Sequence, residues 1–122
     1  MACRLTEIVI DCHHPERLGT FWAAVLGYDV VDTSDGPKLQ GPDGSGPTVL
    51  VTRTPDPPKT TKNRLHLDVN PTDRDQDAEV QRILALGATL ADIGQGDVDW
   101  VVMADPEGNE FCVLRSRIDP LG

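Results

Sequence analysis

A carboxylate at Glu7, an imidazole at His66 with a carboxylate two places on at Asp68, and a thiol at Cys112 all lie in short runs of alternating apolar residues. Side chains in a strand alternate between faces. Glu7 therefore shares a face with Val9 and Asp11, His66 with Arg64 and Asp68, and Cys112 with Glu110 and Leu114. The opposite faces carry Ile8 and Ile10, then Leu65, Leu67 and Val69, then Phe111 and Val113. A carboxylate beside an imidazole can move protons once burial or a neighbouring charge has shifted its pKa. Glu7 and Asp68 are the candidate bases beside His66, and Arg64 on the same parity could orient an anionic ligand. Other chemistries are not written here. There is no Ser-His-Asp arrangement, and Gly94-Gln95-Gly96 lacks the lysine and helix start of a phosphate-binding loop. His13-His14 reads as the entry turn of a helix.

The elements that must position these groups come twice. Thr6 to Asp11 is a β-branched strand, and Pro15 suits a first helical position. Leu18, Phe21, Trp22, Val25 and Leu26 form an amphipathic stripe closed by Gly27, with Trp22 in the core. Strands are expected over Tyr28–Thr33, around Lys38–Gln40 and over Thr48–Thr54. The second copy opens with a strand over Arg64–Val69. A helix follows, entered by an Asp73/Gln76 capping box, carrying Val80, Ile83 and Leu84 and stopped by Gly87. Strands near Thr89–Ile93, Asp99–Met103 and Glu110–Arg115 complete it. Such internal repetition is a strong statement about fold. The expectation is an α+β chain of two tandem βαβββ modules, about 4–54 and 63–116, joined by a Pro-rich linker at 55–62 within a single domain over 1–122. Helices should cover one face of cupped mixed sheets.

Composition narrows the function. The chain has 122 residues, 39% hydrophobic and 25% charged, which suits a soluble globular protein. A net charge of −9 with no basic cluster argues against nucleic-acid binding. No apolar run approaches a membrane span, and the first residues lack the apolar core of a signal peptide. Cys3, Cys12 and Cys112 are odd in number and contain no CxxC, so free thiols in a reducing cytoplasm are expected.

The duplicated pattern, with Phe21-Trp22 and Leu26-Gly27 in the first helix and Asp105-Pro106-Glu107-Gly108-Asn109 before the last strand, resembles the glyoxalase/bleomycin-resistance/extradiol-dioxygenase (vicinal oxygen chelate) superfamily, and most of all its small glyoxalase-like domain proteins. The resemblance spans about Leu5 to Arg115. It implies a divalent metal (zinc, nickel or manganese) on the inner sheet faces, with ligands at positions matching Glu7, Leu50, His66 and Cys112. Leu50 cannot ligate, and Cys112 is a poor substitute for a carboxylate in iron or manganese oxygen chemistry. A Glu7/His66/Cys112 set could bind zinc. The reading that follows is a small-molecule-binding protein without an intact metal site, its groove lined by the inner faces of both modules. Arg64, His66, Asp68, Trp100 and Cys112 would contact the ligand. The alternative is a metal-dependent lyase or isomerase using His66, Glu7 and Cys112. The resemblance also implies a homodimer.

Overall fold

The computed structural model describes residues 1–121. The chain divides into two compact units, Met1–Asp56 with Leu121, and Pro57–Pro120. In the first, β1 (Glu7–Cys12) leads to α1 (Pro15–Leu26), then β2 (Asp29–Thr33), β3 (Gly36–Gln40) and β4 (Thr48–Arg53). In the second, β5 (Leu67–Val69) leads to α2 (Gln76–Leu86), then β6 (Thr89–Leu90), β7 (Val101–Ala104) and β8 (Glu110–Val113). Each sheet has the same internal order, β1-β4-β3-β2 and β5-β8-β7-β6. The outer pairs β1–β4 and β5–β8 are parallel and the remaining pairs antiparallel. The α+β architecture of two βαβββ modules with mixed sheets is as the sequence implied.

Local chemistry explains the first unit. Pro15 occupies the start of α1, and Gly27 adopts φ 68° at its end, with its N–H on Ala23 O. Trp22, 1% exposed, meets Phe21 edge-on at 5.3 Å between ring centroids. With Leu18 and Val25 these rings bury α1 against β3 and β4, where Leu39, Val49 and Val51 are buried. Gly19 permits the approach, since a Cβ there would lie 3.1 Å from Pro37 Cβ.

The second unit departs from the sequence expectations at its edges. Asp75, not Asp73, caps α2, its carboxylate accepting from Ala78 N at 2.8 Å. Asp73 is engaged by Arg74, and Gln76 donates to Asp99 O and Val113 O instead of closing a capping box. That bond to Asp99 O accompanies a late start of β7, at Val101. β6 stops at Leu90 because Asp92 Oδ1 accepts from Gly94 N and Gln95 Oε1 from Ile93 N, local bonds that compete with a ladder. β5 begins at Leu67 rather than Arg64, and Leu65 is 87% exposed instead of lying under the helix. The N–H of Asn63 is taken by a side chain, the Glu110 carboxylate. No helix of the described residues is long and apolar enough to cross a membrane.

Candidate functional site

In the second unit the parallel register sets Asp68 beside Cys112. Just before β5, His66 places Nε2 3.1 Å from Asp68 Oδ1. Donor atoms of His66, Asp68 and Cys112 all lie within 4.8 Å of one another. His66 and Asp68 are exposed, whereas Cys112 is only 4% exposed. Burial pushes the Cys112 thiol up, and the negative charge of Asp68 and the hydrogen bond the thiol donates to it push it further; Lys62 opposes this weakly. The thiol is therefore protonated at neutral pH. Ionised Asp68 only accepts, so the His66 nitrogen facing it carries the proton and Nδ1 is left with the lone pair when the ring is neutral. The result is an imidazole oriented by a carboxylate, over a thiol that shares that carboxylate.

A second network is built around Glu110, two residues before Cys112 on β8. The Glu110 carboxylate, 14% exposed, accepts from Lys59 Nζ and from Asn63 N, both at 2.8 Å. Asn63 Nδ2 donates to Asn109 Oδ1 at 3.0 Å, and Asn109 Nδ2 to Asp105 Oδ2 at 2.9 Å. Burial raises the Glu110 pKa, but the hydrogen bonds from Lys59 and Asn63 outweigh it and hold the carboxyl below its ordinary range.

The other candidates fall in both units. Glu7 belongs to the first unit, where Lys38 Nζ stands 3.5 Å from its carboxylate and Thr48 donates to it at 3.2 Å. A cavity of about 690 Å³ there is bordered by Arg4, Glu7, Lys38 and Thr48. Leu50 pairs with Val9 on that sheet. Arg64 is exposed and makes no ion pair among the described residues. Trp100 is 42% exposed, in the bend before β7. His14 stands at the N-cap of α1 without a side-chain cap, and His13 Nε2 meets Asp56 O at 2.6 Å, so this pair does form an entry turn. Sequence reasoning placed His66, Asp68 and Cys112 on one parity but missed the sharing of Asp68 and the Glu110 network. The one available signal was the presence of the scattered cations Lys59, Lys62 and Arg64 shortly before His66.

The family model of the glyoxalase-like domain matches residues 7–114. The chain belongs to that family. No curated protein matches this glyoxalase-like domain in sequence. Among solved structures it is similar to a glyoxalase/bleomycin resistance protein/dioxygenase family enzyme from Burkholderia phytofirmans PsJN, with a TM-score of 0.71 at 16% identity over 91% of this chain and 97% of that one. The fosfomycin resistance protein FosX from Mesorhizobium loti gives 0.71 at 14%, over 97% and 96%. FosX from Listeria monocytogenes, complexed with Mn(II) and sulfate, gives 0.73 at 13%, over 97% and 94%. At these identities the likeness is one of fold.

The three donors of this glyoxalase-like domain are close enough to hold a metal ion. They do not suit Mn(II), which prefers carboxylate, carbonyl and water oxygens. The most buried of the three is a thiol held protonated by burial and by Asp68, and Asp68 is already paired with His66.

Proposed function

We propose that this glyoxalase-like domain binds a small organic molecule without a metal, on the part of its second unit that carries His66 and Asp68. Arg64 and Trp100 would supply a cation and an apolar ring, and Cys112 the floor. The observation that carries the reading is that Asp68 is committed twice, to the imidazole at 3.1 Å and to the Cys112 thiol. A carboxylate so engaged orients His66 for hydrogen bonding, with Nδ1 available to accept from a ligand. The same dyad could serve acid–base chemistry on a bound molecule.

Grouping of the three donors within 4.8 Å favours one second reading, a metal-dependent lyase or isomerase. It would rely on His66 and Cys112, with Asp68 in place of Glu7, which Lys38 and Thr48 engage. Zinc is the ion whose ligand preferences admit a thiolate. Metal analysis of protein purified without an affinity tag, beside a His66→Ala variant, separates the two. Stoichiometric metal that disappears in the variant overturns the metal-free reading. No metal, and no change in Tm on adding Zn²⁺, Mn²⁺, Ni²⁺ or Fe²⁺, supports it. We further place the protein in a reducing cytoplasm, in keeping with three free cysteines. A homodimer is the proposed working form, checked by light scattering.

A further inference from the structure

The stretch Arg64-Leu65-His66 has little of its own to hold it. Arg64 and Leu65 are exposed, Arg64 has no ion pair among the described residues, and β5 starts only at Leu67. On the other side the stretch is fixed at Asn63. Its backbone N–H donates to Glu110 Oε1 at 2.8 Å, and its side chain to Asn109 Oδ1 at 3.0 Å. Glu110 Oε2 meanwhile receives Lys59 Nζ at 2.8 Å. A single carboxylate thus gathers residues 59 and 63 onto the first residue of β8. Charge-assisted bonds of this length are the stronger class, and at 14% exposure the Glu110 side chain is largely removed from competing water.

His66 therefore hangs between two fixed points, Asn63 and Leu67, that lie close to it in the chain. The spacing leaves few conformations that still bring Nε2 to Asp68. We propose that Glu110 is a positioning residue for His66: by fastening the 59–63 strap to β8 it sets the imidazole against Asp68. The Asp105-Pro106-Glu107-Gly108-Asn109 turn extends the same device. Asp105 holds Asn109, and Asn109 holds the side chain of Asn63. This rests on the reading of His66 as part of the ligand site, but it is tested without any ligand.

The test uses the full chain with Glu110→Ala, Glu110→Gln and Glu110→Asp. Two NMR readouts are followed: amide hydrogen exchange at Asn63, and the His66 imidazole ¹⁵N shifts, which report which nitrogen carries the proton. In Glu110→Ala, exchange at Asn63 should accelerate at least tenfold and the two ring shifts should converge towards those of a free, tautomer-averaged imidazole. Glu110→Gln keeps an oxygen for Asn63 N–H and should retain most of the wild-type ring signature. Should Glu110→Ala fail to fold, Glu110→Asp carries the test, because its shorter arm cannot reach both partners; the same two changes are expected, in smaller degree. Fast exchange at Asn63 with unchanged His66 shifts overturns the proposal, since a merely structural strap would give that result. Shifts that move as expected in a protein later found to hold stoichiometric metal leave the positioning role standing and sink only the metal-free reading.

Discussion

Replacing Asp105 with alanine removes the acceptor around which the turn before β8 is organised. The side chain is buried, with Oδ1 receiving Glu107 N at 2.9 Å and Asn109 N at 3.0 Å, and Oδ2 receiving Asn109 Nδ2 at 2.9 Å. Hydrogen bonds to a charged group contribute about 1.5–3 kcal/mol each. Water can reach the half-buried donors once the carboxylate is gone, and alanine no longer has a buried charge to desolvate. These offsets bring the expected loss to about 3 kcal/mol rather than the simple sum. The backbone bonds of the turn, Asp105 N to Asn109 O and Gly108 N to Asp105 O, do not involve the side chain and should survive. Asp105→Asn keeps one oxygen but sets its amide nitrogen against Asn109 Nδ2, and should cost about 1–2 kcal/mol. Urea unfolding followed by circular dichroism measures both; with a slope of about 2 kcal/mol/M the alanine midpoint falls by about 1.5 M. Amide exchange at Glu107 and Asn109 should quicken in parallel. An alanine variant within about 0.5 kcal/mol of the parent would refute the assignment of Asp105 as organiser of the turn, since that is the scatter of ordinary surface substitutions.

Three further outcomes are expected. Because Glu110 has a folded-state pKa below its unfolded value, its contribution is complete above the unfolded pKa and is lost as pH falls through the folded one; the acid limb of a stability-against-pH curve should be shallower in Glu110→Gln. Gly36→Ala should prevent folding or cost several-fold more than Gly27→Ala, which should lose about 1 kcal/mol in thermal melts. A Cβ at Gly36 would lie 2.2 Å from Val51 O at φ +129°, whereas at Gly27 it meets nothing within 4 Å. A thiol reagent should label Cys3 alone in the native protein and reach Cys12 and Cys112 only in denaturant; rapid labelling of Cys112 would contradict its burial and its raised pKa.

Where local chemistry alone decides an element, the residues declared it. Pro15, the Leu18-to-Leu26 stripe and Gly27 mark α1 because start, face and stop are each set within a turn of the chain. The entry to α2 is different. Asp73 and Asp75 can both cap, and the choice fell to Asp75 because Arg74 engages Asp73 while distant carbonyls, those of Asp99 and Val113, draw Gln76 away. The same limit applies to the site. Alternation put His66, Asp68 and Cys112 on one face, but the parallel register that makes Asp68 and Cys112 neighbours depends on strands far apart in sequence. Glu110 read as one more polar residue on that face because its partners are Lys59, in a stretch whose composition suggests only a linker, and Asn63, just after it and far from Glu110 in sequence.

The strand order has a consequence for how the chain is made. Among the described residues, the first strand of each sheet pairs with the last and with no other, in parallel. β1 must wait for β4, since Glu7 meets Thr48 across some 40 intervening residues, a loop closure costing about 3 kcal/mol in entropy. On a ribosome, β5 likewise waits until β8 has emerged, and Asp68 acquires Cys112 only then. Each unit is thus zipped shut at its final strand, and the His66 site is completed only when β8 joins β5. A chain halted before Glu110 would lack the thiol that shares Asp68, the carboxylate that fastens Asn63 and the strand against which β5 forms.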